Sequence, residues 1–139
     1  MTPNTRPVLA VLGLMVFYAG LWVASEWWER AFATAYRAAD ISPDGCVRVQ
    51  AFRPYWVLPA SFHPKSPPDD PDDRSWFVRW ESPAFFRLYD QRDGRLLAET
   101  DVYDLVNWGG PVNWGYGKYR EVSVGMIQIG TEPDDCKYE

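Results

Sequence analysis

The chain has 139 residues and a formal net charge of -5, with 24% of residues charged and 17% aromatic. An acidic surface repels phosphate backbones, which argues against nucleic acid as a partner. A single histidine and two cysteines leave too few soft ligands for a zinc site, so neither a metal nor a cofactor is expected.

Residues 7–25 carry no charged side chain, and at about 1.5 Å of rise per residue a helix of that run is about 28 Å long, the thickness of a bilayer's hydrocarbon core. The pattern predicts a tail over 1–6 and a transmembrane helix over 7–25. Trp22, Trp27 and Trp28 follow at the exit, where indoles suit the headgroup layer. A cleaved signal peptide is the alternative, with Val23-Ala24-Ser25 as the small-residue site; the length of the run and its aromatic flank favour retention. Arg6 precedes the run and Glu26 and Glu29 follow it, a bias that places the amino end inside. The expected location is the bacterial inner membrane, single-pass, with a cytoplasmic amino end and the remainder in the periplasm.

Alanines and alternating charges predict continued helix through Ala39, within a juxtamembrane helix or stalk over 26–41 that ends before the turn cluster Ser42-Pro43-Asp44-Gly45. From residue 42 to 139 the pattern is that of strands. Cys46 to Phe52 alternates, with Val47, Val49 and Ala51 on one face. Prolines at 54, 59, 64, 67, 68 and 71 remove donors repeatedly, so this stretch is an extended loop, ordered or flexible, and not a central strand. Regularity returns at Trp76 to Trp80. Ala84 to Tyr89 and Arg95 to Thr100 then flank Asp93-Gly94, the clearest hairpin signal in the chain. Tyr119 to Ile129 reads as one last long strand. The fold class is therefore mostly β: a transmembrane helix followed by a small antiparallel sheet or sandwich. Cys46 and Cys136 bracket that domain, and in an oxidising compartment they are expected to close it as a disulfide.

The candidate chemistry is sparse. His63 sits in Phe62-His63-Pro64; neither a metal site nor a serine-histidine site with Ser61 or Ser75 has the context it needs. Glu81, Glu99, Asp101 and Asp104 show no marked carboxylate pair. The chain is not expected to be an enzyme. Asp69, Asp70, Asp72 and Asp73 form an acidic cluster that reads as a solvated loop, as a contact patch for a basic partner, or as a weak calcium loop lacking the usual ligand spacing. Val106-Asn107-Trp108-Gly109 recurs as Val112-Asn113-Trp114-Gly115. Its two indoles either face a partner or plug the ends of the sheet.

The block Trp80 with Pro83 to Tyr89, Leu97 to Thr100, Val102 to Leu105 and Val122 to Met126 resembles small single-pass membrane-anchored proteins of Gram-negative bacteria, some of which look like immunity partners of secreted antibacterial toxins. That resemblance implies a non-enzymatic, membrane-anchored periplasmic domain that binds a protein, a secreted toxin being the expected partner. Asp69, Asp70, Asp72, Asp73, Trp108 and Trp114 are the expected contact residues. The alternative is an accessory or assembly subunit of an envelope complex, recognised through its transmembrane helix.

Overall fold

The first element, α1 (Thr5–Ala31), is one uninterrupted helix in the computed structural model, which describes residues 4–115 and 118–136. Residues 1–3 of the amino-terminal tail, Gly117 of the glycine-rich segment and the last three residues of the domain lie outside this description. Pro7 is tolerated because it falls in the first turn, where backbone N–H groups have no intrahelical acceptor. The helix is long and apolar enough to cross a membrane, and its apolar part stands almost wholly uncovered by the rest of the chain. Only its last turns touch the domain: Leu21, Ala24, Trp28 and Glu29 are half-buried and Ser25 is buried, while Trp27 is exposed.

α1 stops at Ala31, eight residues short of the expected Ala39. The segment that follows is extended. β1 (Thr34–Ala35) and β2 (Asp40–Ile41) both pair antiparallel with β3 (Val47–Arg53). Sheet pairing supplies fixed hydrogen-bond partners, which outweigh a helix propensity worth only tenths of a kcal/mol per residue. The globular unit thus takes in residues from Thr34 onward.

The main sheet runs β1-β3-β4-β5, where β4 is Pro83–Asp90 and β5 is Leu96–Glu99, with β2 also on β3 and β6 (Tyr103–Asp104) also on β4. The hairpin β4–β5 forms where Asp93-Gly94 predicts it, with Gly94 at φ 77°. A one-turn helix, α2 (Leu105–Trp108), leads to a second sheet of β7 (Val112–Asn113), β8 (Glu121–Val124) and β9 (Ile127–Thr131). The single long strand expected over Tyr119 to Ile129 is instead two strands folded back on each other at Gly125, whose φ of 56° turns the chain. That fold-back sends Val122, Val124, Ile127 and Ile129 all to the same core.

The two sheets pack face to face. Val47, Val49, Ala51, Phe86 and Leu88 from the first meet the four apolar residues of the second, and Cys46 and Cys136 seal one end as a disulfide with Cα atoms 5.9 Å apart. A methyl at Gly130 would stand 2.7 Å from the Ala98 side chain, so glycine there lets the sheets approach. The opposite face of the main sheet receives the end of α1. Arg30 Nη1 donates to Glu99 Oε1 at 2.6 Å, Arg87 Nε donates to Glu99 Oε2 at 2.5 Å, and both guanidinium groups lie over the fully buried Phe85 ring. The helix is therefore docked on the sheet by a shared carboxylate and by cation–π contact.

The hairpin loop is held by Asp90, whose buried carboxylate accepts from Arg92 Nε and Nη2, while Arg92 also donates to Asp135 beside Cys136. The Arg92 hydrogen bonds hold Asp90 down at about 2, below its ordinary 3.8. Between those values the unfolded chain binds a proton that the folded chain does not, so stability from Asp90 is complete above pH 4 and is lost as pH falls towards 2. Denaturant unfolding followed from pH 5 to pH 2 should show this loss, and Asp90→Asn should flatten that limb; an unchanged limb would exclude the role.

Candidate functional site

The proline-rich stretch between β3 and β4 is an ordered loop. Its first residues hang on α1: Tyr55 N–H donates to Glu29 O at 3.0 Å, and Trp56 Nε1 donates to Glu29 Oε1 at 2.5 Å. The Trp56 ring stacks on His63 at 4.1 Å with only 7° between planes and meets Trp80 edge-on at 5.1 Å, while Trp80 Nε1 donates to His63 O. Aromatic stacking thus gives this stretch the order that its missing backbone donors deny it. A short 3-10 turn, Ala60–Phe62, carries the chain round. Lys65 and Ser75 then exchange both backbone hydrogen bonds, closing a nine-residue excursion whose tip carries the acidic cluster. The run Trp76 to Trp80 beyond it is irregular and not a strand.

Between this loop and α1 lies a cavity of about 420 Å³, walled by Trp22, Ser25 and Glu29 of the helix and by Trp56, His63 and Trp80 of the loop. It combines aromatic walls with convergent polar groups, the usual character of a ligand site. Ser25 Oγ and His63 Nε2 are buried without a hydrogen-bond partner among the described residues. Burial lowers the His63 imidazole below its ordinary 6.5, a backbone hydrogen bond to Leu58 opposing this only in part, so the ring is neutral at pH 7. Glu29, one turn beyond the apolar run, is raised by burial despite the Trp56 N–H and the Arg30 charge. The serine, histidine and carboxylate do not form a relay: the histidine's free nitrogen meets no hydroxyl, and the carboxylate is spent on Trp56. Ser61 and Ser75 are likewise not bonded to His63 among the described residues.

Asp69, Asp70, Asp72 and Asp73 are all exposed at the tip of the excursion, and none forms an ion pair with another described residue. No three of the His, Cys, Asp and Glu side chains among the described residues are grouped to hold a metal ion. Beside the cluster, Trp76 is 49% and Phe77 72% exposed. Trp108 and Trp114 lie elsewhere, each half-buried against the core. The sequence repeat that contains them has no structural counterpart, since its first copy is the turn α2 and its second is the strand β7.

Asp104 is fully buried, caps α2, and accepts from the backbone of Glu81, Ser82 and Val106 and from Lys65 Nζ at 2.8 Å. Burial raises its carboxyl, but these four donors outweigh burial and the net shift is downward. Asp104 and Lys65 thereby pin the acidic excursion to the main sheet. Sequence reasoning passed over Ser25, Glu29 and Trp56. Only the helical spacing of Trp22, Ser25 and Glu29, positions that share one face, could have pointed to the first two. Comparison with protein-family models, curated proteins and solved structures finds no match to this chain.

Proposed function

We propose that this chain is a non-enzymatic protein of the bacterial inner membrane, held by α1 with its amino end in the cytoplasm, whose periplasmic β domain binds another protein. In this reading it is an immunity protein that occludes the active site of a secreted toxin. One observation carries the reading: four aspartates with no ion-pair partner among the described residues stand exposed on a loop pinned by Lys65 and Asp104, next to the exposed ring of Trp76. Fixed negative charge steers a basic partner into encounter, and exposed aromatics slow its release. Trp108 and Trp114, half-buried, contribute through their open edges.

The test is capture of partners by the tagged full chain in nanodiscs, because a domain begun at Ala39 would lose β1 and the Glu29 and Arg30 contacts. Recovery of one secreted enzyme in a stoichiometric complex supports the reading. Changing all four aspartates to asparagine should then slow association roughly 10-fold or more at low ionic strength and flatten its salt dependence; an unchanged rate would exclude the aspartates as the contact.

The second reading, an envelope assembly subunit, is favoured by the uncovered apolar length of α1. Exchanging residues 8–23 for an unrelated apolar span should preserve immunity but abolish assembly through the membrane.

A further inference from the structure

The first part of the proline-rich loop lies along the last turns of α1 and exposes Tyr55, Val57 and Phe62, while the aspartates sit at the tip of the excursion beyond it. Its start is fixed at Glu29 by Tyr55 and Trp56, whereas Leu58 and His63 share a cavity wall with Ser25 and Trp22. From Glu29 to Trp22 is seven residues of helix, about 10 Å at 1.5 Å per residue. The cavity that the loop and the helix share therefore extends to the last turn of the apolar run, where a spanning helix leaves hydrocarbon for headgroups. Around that point Val57 is 43%, Phe62 43% and Phe77 72% exposed, and the Phe62 and Phe77 rings meet edge-on at 6.0 Å. Phe77 holds its ring outward from a φ of 56°, the one positive φ at a non-glycine among the described residues. Left-handed backbone is strained for a bulky residue, and such strain concentrates where a side chain must be presented.

We infer that Val57, Phe62 and Phe77 enter the headgroup and upper acyl layer of the bilayer, making the loop a second membrane contact beside the helix. This inference rests on the reading of α1 as a membrane span. Continuity with the helix exit selects lipid as the occupant: Trp27, Phe32 and Tyr55 extend an exposed aromatic chain from the helix end to the loop, with ring centroids 6.2 and 5.8 Å apart. Asp69, Asp70, Asp72 and Asp73 in the same loop disfavour anionic headgroups, so the surface suits a zwitterionic one. Apolar insertion also makes the contact insensitive to salt.

The full chain, labelled with fluorophenylalanine and placed in zwitterionic nanodiscs, tests this by fluorine NMR with a lipid bearing a nitroxide near the top of its acyl chain. Phe62→Leu and Phe77→Leu assign the two signals. The expected result is loss of the Phe62 and Phe77 signals alongside that of Phe17, with the buried Phe86 signal retained and no change on adding salt. Retained Phe62 and Phe77 signals with Phe17 lost would overturn the second contact and leave that surface to water or a protein. A retained Phe17 signal would overturn the membrane span itself, and this contact with it.

Discussion

Replacing Cys46 and Cys136 together by alanine should destabilise the domain by about 4 to 5 kcal/mol, the chain-entropy value for a loop of this size. The bridge spans 90 positions and joins the start of β3 to the segment after β9. The two sheets have no hydrogen-bonded strand in common, so apolar packing, this bridge and the Arg92–Asp135 pair beside it hold them together. A loss of that size is a large part of the about 5 to 15 kcal/mol that a domain has in total. The melting temperature of the full chain in nanodiscs, followed by near-ultraviolet circular dichroism, should fall by at least about 15 °C. Wild-type protein under reductant should melt with the variant. A shift of only a few degrees would mean that the unbridged chain already restricts this loop in its unfolded state.

Local signals carried much of the architecture. The alternation Val47, Val49, Ala51 and the Asp93-Gly94 turn each specify backbone geometry within a few residues, and both elements stand where those residues place them. Two of the departures came from non-local forces. Residues 32–39 favour helix by propensity, but β3 offers Thr34 and Ala35 partners at Arg53 and Phe52, beyond the reach of helical hydrogen bonds. In Tyr119 to Ile129 the period breaks at Gly125, where the turn is held by Gly125 N–H donating to Pro111 O and Met126 N–H donating to Trp108 O. The cavity was hidden for the same reason. Ser25 lies inside an apolar run, Glu29 on an apparent stalk and Trp56 among prolines, and only folding brings the three together. The acidic cluster was visible as a string of aspartates, whereas the residues that hold it in place, Lys65 and Asp104, are separated by 39 positions in sequence.

Asp104→Ala is the second substitution with a large expected effect, because one carboxylate satisfies four donors. Its removal leaves the Lys65 ammonium, 13% exposed, without its counter-charge, and orphans the N–H groups of Glu81, Ser82 and Val106. Breaking a buried pair from one side costs about 3 to 5 kcal/mol, since the remaining charge stays desolvated. Asp104→Asn should lose less, its carbonyl oxygen still accepting from the backbone. The location of the damage separates this from a general weakening. Lys65 also donates to Arg79 O at 2.7 Å and pairs with Ser75 through the backbone, so hydrogen exchange should accelerate at the Lys65 and Ser75 amides before it does in β3 or β4. Adding Lys65→Met to Asp104→Ala should recover part of the stability, because no unpaired charge then remains buried, yet it should not restore the excursion's protection. A stable Asp104→Ala protein with its Lys65 and Ser75 amides still protected would show that other contacts hold the acidic tip. If the tip loosens, the four aspartates lose their common orientation while keeping their charge. Under the proposed function, the complex with a protein partner would then keep the salt dependence of its association but dissociate faster, whereas the asparagine variants would flatten the salt dependence itself.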